Sequence, residues 1–268
     1  MQNKIVYLLC CCIFLFSCKE ASVANYASGK VFQLAPPKIL VDSLLFATTA
    51  QLEAEFDMPD AVIRYTTGGY EVTASSKLYT KPITVKEASK FTFATFHSEY
   101  QKSPEVQIWL TQIKQNVSDT KVTLSPEPHP NYPGDGAQVL VDLQKGTTQF
   151  RAGKQWLGFQ SKQVIVQLDF EKEISIEKLL ISSLNDHGSW IFVPQAIHVS
   201  SNDKEIGFLT LKVPAEVEPK QIKLLDVPVI NGTYKTITIQ IDLMEAIPEW
   251  HQGKGTAPFF FIDEILVE

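Results

Sequence analysis

The chain alternates apolar and polar positions with a period of two over many short runs. Between residues 164 and 170, Val, Val, Leu and Phe alternate with Ile, Gln and Asp, and residues 237–243 repeat the pattern with Ile, Ile, Ile and Leu. A period of two turns one face of a strand towards the core. Turn sequences such as Gly68-Gly69 and Asn231-Gly232 separate the runs, and no long stretch has the helical period. The pattern therefore predicts an all-β protein with little helix.

The segment richest in proline divides the chain into two units. Residues 125–136 contain four of the fifteen prolines, so we predict one domain over residues 31–115 and a second over residues 121–268. Each unit is long enough to enclose its own core. Residues 19–30 are small, polar and without pattern, which is typical of a tether.

The first 18 residues have the features of an export signal. Lys4 supplies the positive start, and residues 5–16 form an apolar run too short to span a bilayer. The run ends in Leu-Phe-Ser-Cys, which resembles a bacterial lipobox and implies that Cys18 is lipidated. The alternative is an ordinary secretory signal. All four cysteines lie in residues 1–18, so we expect an exported protein, held by a lipid on the periplasmic or outer face of the outer membrane.

Composition and motifs exclude several classes of function. The 24 basic and 30 acidic residues give a net charge of −6 without a basic cluster, so a nucleic-acid partner is not expected. The sequence has no nucleophile elbow, no zinc-protease motif, no C-x-x-C and no phosphate-binding glycine loop. We therefore predict that the protein is not an enzyme, and an enzyme with an unrecognised site is the weakest alternative.

Residues 63–83 carry the first family resemblance. The run IRYTTGGYEVT, followed by SSKLYTKPI, resembles the small immunoglobulin-like C-terminal domain of chitobiase and β-hexosaminidase. In that family a Tyr-Thr pair, an Asp-Gly turn and a Pro-Thr pair precede a Leu-Tyr…Pro-Ile strand. Here Gly68 replaces the acid of the turn and Val72 replaces the proline. The resemblance implies an Ig-like β-sandwich, and Gly68-Gly69 suits a tight turn with positive φ.

A second resemblance covers roughly residues 121–268. Its motifs include LVD at 140–142, WLGF at 156–159, GSWI at 188–191, WHQGKG at 250–255 and FIDEI at 261–265. Their order resembles the discoidin-type (coagulation factor 5/8 type C) domain at the C-terminus of many Bacteroidetes family 20 β-N-acetylhexosaminidases. The resemblance implies a galactose-binding-like jelly-roll β-sandwich. The catalytic barrel of those enzymes has no counterpart in the sequence, so we expect the accessory part without the barrel.

Tryptophans in turn-rich segments indicate a sugar site. Sugars are recognised by an aromatic face together with a few polar groups, and the resemblance implies that loops at one end of the domain provide them. Two of the tryptophans have a histidine and a carboxylate nearby. The alternative for each indole is packing in the core. The predicted glycan-binding residues are Trp250, His251, Trp190, His187, Asp186 and Trp156.

The second resemblance also implies a structural calcium ion held by loop oxygens and a carboxylate near the C-terminus. By position, Asp142 and Glu264 are the candidate ligands, which suits an oxygen-preferring cation. Leu143 stands where the family usually has glycine, and few other acids surround Asp142. We therefore predict no cofactor, with Ca²⁺ at these two residues as the alternative.

These inferences combine into one functional prediction. We expect a lipid-anchored, non-catalytic protein that binds glycans, containing N-acetylhexosamine or galactose, through the loop end of the discoidin-type domain. The alternative is a scaffold that meets a protein partner in a glycan-utilisation complex. An exposed concave loop end with tryptophans favours the first, and a flat apolar patch of several hundred Å² favours the second.

Overall fold

The computed structural model describes residues 29–268, with strands throughout and only short 3₁₀ turns between them. The predicted signal segment, Cys18 and residues 19–28 of the tether lie outside the described residues. None of the described helical turns is long and apolar enough to cross a membrane. The all-β fold class predicted from the sequence is confirmed.

The N-terminal domain contains eight strands in two sheets. One sheet has the order β1-β3-β6 and the other has the order β2-β8-β7-β4-β5. Positive φ angles at Gly68 and Gly69, just after β4, confirm the predicted turn. The strands are β1 (Lys38–Val41), β2 (Leu45–Phe46), β3 (Ala50–Glu55), β4 (Val62–Thr67), β5 (Lys77–Leu78), β6 (Ile83–Val85), β7 (Ser89–Phe96) and β8 (Val106–Gln112).

Alternation along the strands builds the core of this domain. In β3 every second side chain is buried, and Leu52 is fully enclosed. Phe93 of β7 is also fully buried and stacks on Tyr65 of β4, with 5.5 Å between ring centroids. Both sheets contribute to one cluster, as expected for a sandwich whose inner faces are apolar.

The C-terminal domain is built on two long antiparallel strands. β11 and β14 pair along nearly their whole length, from Gln163 opposite Asp242 to Asn185 opposite Gln221. The sheet order is β10-β15-β11-β14-β12-β13, and β9 also pairs with β11. The strands are β9 (Lys121–Ser125), β10 (Leu157–Phe159), β11 (Gln163–Asn185), β12 (Ala196–Ser201), β13 (Lys204–Thr210), β14 (Gln221–Asp242) and β15 (Phe260–Val267).

Irregular pairing lets β11 and β14 pass from one layer of the sandwich to the other. Their register shifts between Asp169 and Ile174 and again before Lys178. The first half of β11 pairs with β9, and the second half pairs with β15. The predicted turn at Asn231-Gly232 lies inside β14, at a bulge where residues 229–231 have no partner in β11 and the pairing resumes at Gly232. Both halves bury their inner side chains in one core.

The outer face of the β11–β15 layer is covered along its whole length. Near the N-terminal domain, Leu180 and Leu266 pack with Leu45 of β2. Towards the other end, Leu184 and Phe261 pack under the aromatic side chains of the segment that precedes β10. Between these two apolar clusters lies a polar layer, which includes Ser182 and Glu264. The open loop end is the end of the strands that carries Asn185 and Phe260.

Candidate functional site

Three connecting segments meet at the loop end of the C-terminal domain. They are residues 186–195 between β11 and β12, residues 211–220 between β13 and β14, and residues 243–259 between β14 and β15. Backbone hydrogen bonds join them: Phe192 donates to Phe259 at 2.9 Å, and Leu211 donates to Gln195 at 2.8 Å. The segments therefore form one structure. Five of the six predicted glycan-binding residues lie in it.

Asp186 organises the first of these segments. Its carboxylate accepts a hydrogen bond from the Ser189 amide at 3.3 Å and caps the 3₁₀ turn His187–Ser189. Lys220 reaches it from the second segment, with 3.1 Å between Nζ and Oδ2. Burial raises the pKa of Asp186, but the contacts with Ser189 and Lys220 outweigh burial and hold the pKa below its ordinary value. The carboxylate is thus ionised and fixed.

Trp190 ends the same turn. Of the three tryptophans predicted to bind a glycan, it is the one with an exposed ring face. Its φ of 62° is left-handed, a conformation that few non-glycine residues adopt. The residue is 38% exposed. Its inner side lies against Gly253 and against the edge of His251, with 6.3 Å between ring centroids. The sequence thus places one supported aromatic face at the loop end.

His251 is buried and supports this arrangement from behind. Its Nδ1 accepts a hydrogen bond from the Gly253 amide at 3.0 Å, so Nε2 carries the proton and donates to the His187 carbonyl at 2.9 Å. Both ring nitrogens are used within the protein. The structure therefore gives the imidazole a positioning role beneath Trp190.

His187 and Asn185 leave two buried polar atoms without partners. The Glu218 amide donates to His187 Nδ1 at 3.1 Å, and Nε2 finds no acceptor within the described chain. Asn185 donates through Nδ2 to Glu218 at 3.0 Å, while Oδ1 is unpaired. Burial is the main reason why the pKa of His187 is below its ordinary value. The ring is thus neutral, stacked on Phe192 with centroids 4.4 Å apart.

Trp250 joins the second and third segments. Its Nε1 donates to the Pro214 carbonyl at 2.7 Å. The ring lies 5.3 Å from His187 and 6.3 Å from Phe192, measured between centroids. Its partly buried indole packs against the small cluster that includes Met244. The position of Trp250 favours a structural role more than the sequence suggested.

Trp156 lies apart from the loop-end site, in the aromatic cluster over the outer face of β15. It is 2% exposed and packs near Phe261. Its Nε1 donates to the Thr147 carbonyl at 2.9 Å. Gly146 lies so close to the indole that a Cβ there would fall 2.5 Å from Nε1. The ring has no face open to a ligand, so we leave it out of the site.

The candidate calcium ligands lie near each other but do not form a cation site. The Oδ1 of Asp142 accepts a hydrogen bond from the Gln144 amide at 2.8 Å, and burial raises the pKa of this carboxyl. Glu264 is fully buried, and no side chain donates a hydrogen bond to its oxygens; the Leu143 amide lowers its pKa only slightly. Within residues 29–268, no three acidic, histidine or cysteine side chains are arranged to hold a metal ion. The ammonium of Lys145 lies among these carboxyl groups.

Burial makes Glu264 a neutral acid. Desolvation and the nearby charges of Asp263 and Asp142 raise its pKa to about 9, and the positive charge of Lys145 opposes them. At neutral pH the carboxyl is therefore protonated. The ammonium of Lys145 binds both oxygens of Asp263 and the hydroxyl of Ser182, so the oxygen ligands that a divalent cation needs are already used. These residues therefore do not fit the calcium ion that the resemblance implies.

The candidate site predicted from the sequence did not include Trp109, the fourth tryptophan, or the residues around Lys220. Trp109 on β8 is 56% exposed, opposite Lys90 of β7, whose Nζ is 5.9 Å from the ring centroid. The alternation of β8 indicates this outward position, since Ile108 and Leu110 point to the core side. Glu218 and Lys220 have no comparable signal, because they lie in an irregular segment.

Comparison with known families gives a match for part of the N-terminal domain. Residues 44–107 match the family described as chitobiase/beta-hexosaminidase C-terminal domain, and the predicted resemblance is confirmed there. A comparison with curated proteins gives no match.

Several solved structures resemble the fold. CpGH89CBM32-5 of Clostridium perfringens, in complex with GalNAc-β-1,3-galactose, is 14% identical, with a TM-score of 0.35 over 57% of this chain and 96% of that one. The family 32 module of C. perfringens NanJ, in complex with galactose, is 11% identical, with a TM-score of 0.35 over 57% and 95%. A SusE-like protein is 10% identical, with a TM-score of 0.38 over 86% and 95%.

Proposed function

We propose that the C-terminal domain binds a glycan at its loop end, with the indole of Trp190 as the stacking surface. The observation that carries this proposal is an aromatic face that is fixed from behind by Gly253 and His251 and open in front. The C–H face of a sugar ring packs well on such a surface, and a side chain that is already ordered loses little entropy on binding.

Polar groups near the same turn complete the proposed site. Lys220, whose side chain is 39% exposed, provides ammonium donors, and the largely buried Asp186 carboxylate holds it in place. A donor fixed in this way selects among sugar hydroxyls by direction. The family match of residues 44–107 associates the chain with β-hexosaminidases, so glycans with N-acetylhexosamine or galactose are the first ligands to test.

A glycan array tests the proposal directly. The protein, starting at residue 19, is compared with Trp190→Ala and with Trp109→Ala, which removes an exposed indole from the other domain. We expect selective binding that is lost with Trp190→Ala and kept with Trp109→Ala. Equal loss in both variants, or no binding by the folded protein, would contradict the assignment of the site.

We further propose that the protein is exported and anchored to the outer membrane through Cys18. The lipobox-like sequence and the position of all four cysteines within the first 18 residues support this. Growth with a labelled fatty acid should label the wild-type protein and leave Cys18→Ser unlabelled. Protease treatment of intact cells then separates the outer from the periplasmic face, because only a surface-exposed chain is cleaved.

A non-catalytic scaffold in a glycan-utilisation complex is the second candidate function. The observation in its favour is an open apolar groove of about 410 Å³ between β13 and β14, in which Phe208 and Ile230 are exposed. Such patches often mark contacts with other proteins. A folded protein that binds no glycan on the array, and a Phe208→Ser variant that loses a co-purified partner, would favour this function.

A further inference from the structure

A compact group of ionisable side chains is buried on the outer face of the β11–β15 layer, away from the loop end. β15 contributes Asp263 and Glu264, and β11 contributes Ser182, which pairs in register with Glu264. All three are 0% exposed. The covering segment, residues 142–146, contributes Asp142 and Lys145. One ammonium group thus lies among three carboxyl groups.

The ammonium group of Lys145 makes three hydrogen bonds to buried side chains. Its Nζ donates to both carboxylate oxygens of Asp263, at 3.0 and 2.8 Å, and to the hydroxyl of Ser182. An ammonium has three N–H donors, and these contacts use all of them. The lysine side chain is only 9% exposed. The Gly146 amide adds a further hydrogen bond to Asp263 at 2.7 Å.

The ammonium group of Lys145 occupies a position that a metal cation would otherwise fill. Burying the Asp263 carboxylate without a positive charge is costly, so some cation has to stand beside it. A divalent ion would need several oxygen ligands directed to one point. The oxygens of Asp263 and Ser182 already receive the lysine protons.

We propose that Lys145 is a built-in cation, which takes the place of a structural calcium ion and makes the C-terminal fold independent of metal. It also holds the covering segment against the sheet. Leu143 in that segment has a left-handed φ of 63° and packs with Leu45, Leu180 and Leu266. By holding this segment in place, Lys145 therefore also fixes part of the junction between the domains. Removing the lysine side chain should turn the group into a site that a divalent cation can fill.

Thermal melting in calcium and in EDTA tests this proposal on the chain that starts at residue 19. The wild-type Tm should be the same in both. Lys145→Ala should melt several degrees lower in EDTA and recover with calcium, because the emptied space admits the ion. Lys145→Met is the matched control: it removes the charge but fills the space, so its lower Tm should not recover.

Two results would overturn the proposal. One is a wild-type Tm that rises with calcium or falls with EDTA. The other is a folded Lys145→Ala variant whose Tm calcium does not change. If Lys145→Ala does not fold, calorimetric titration of calcium into EDTA-treated wild-type protein decides instead, since heat of binding at a single site contradicts the proposal and its absence supports it.

Discussion

Gly253 lies directly against the indole ring of Trp190. A Cβ atom at residue 253 would fall 2.9 Å from Cε2 of that ring and 3.0 Å from Cζ2. These distances are shorter than a carbon–carbon contact allows, so any larger residue must displace the ring. The exposed face of Trp190 therefore depends on a glycine that lies 63 positions later in the chain.

The first prediction concerns this contact. Gly253→Ala should weaken glycan binding at least several-fold, because the displaced indole no longer presents the same face, while the Tm falls by only a few degrees. Gly188→Ala is the matched control in the same loop end, since its Cβ would meet nothing closer than 3.6 Å. Affinity by calorimetry and melting curves measure both effects. Unchanged binding by Gly253→Ala would argue against Trp190 as the stacking surface.

The second prediction separates packing from binding at Trp250. Trp250→Ala removes a partly buried ring and its hydrogen bond to Pro214, so it should lower the free energy of unfolding by about 2–4 kcal/mol. Trp250→Phe keeps most of the packing and should cost about 1 kcal/mol. Denaturant titration measures both. If Trp250→Ala keeps full stability but loses glycan binding, Trp250 belongs to the binding surface.

The third prediction uses the neutral, buried His187. Its pKa is lowered in the folded protein, so the unfolded chain takes up a proton at a higher pH than the folded chain does. Stability from this residue is full above the ordinary histidine pKa of 6.5 and is lost as the pH falls below it. His187→Gln should therefore make the fall in Tm between neutral and mildly acidic pH shallower. His97→Gln, which removes a histidine from the N-terminal domain, is the control for the substitution itself.

The strands could be predicted from the sequence because their signal is local. Alternation over residues 164–170 and 237–243 sets which side chains face the core, and the structure has residues 164–170 in β11 and residues 237–242 in β14. The position of Asn231-Gly232 at a bulge inside β14 could not be predicted, because a two-residue turn sequence does not reveal whether pairing with another strand resumes after it.

The loop-end site could be predicted only in part, for the same reason. Neighbouring residues such as Asp186, His187 and Trp190 are brought together by one short turn. The roles of the tryptophans depend on distant residues: Gly253 supports Trp190, and Pro214 holds Trp250. The ammonium of Lys145 reaches Asp263 across 118 positions of sequence, which no local pattern reveals.

The last prediction concerns Glu264. Its pKa of about 9, against an ordinary value of 4.5, means that the folded protein keeps a proton that the unfolded chain releases. Stability from this residue is therefore full below pH 4.5 and is lost as the pH rises through about 9. Glu264→Gln keeps the shape of the neutral acid and cannot ionise. Relative to wild type, its free energy of unfolding should rise with pH, by up to about 1.4 kcal/mol per pH unit.

Urea unfolding across this pH range measures the difference between Glu264→Gln and the wild-type protein. Glu171→Gln serves as the control, because Glu171 is an exposed acid on β11. We expect the control to follow the wild-type curve at every pH, while Glu264→Gln diverges from it steadily towards higher pH. Parallel curves for both variants would mean that Glu264 is ionised in the folded protein, and that the cation beside it neutralises two carboxylates instead of one.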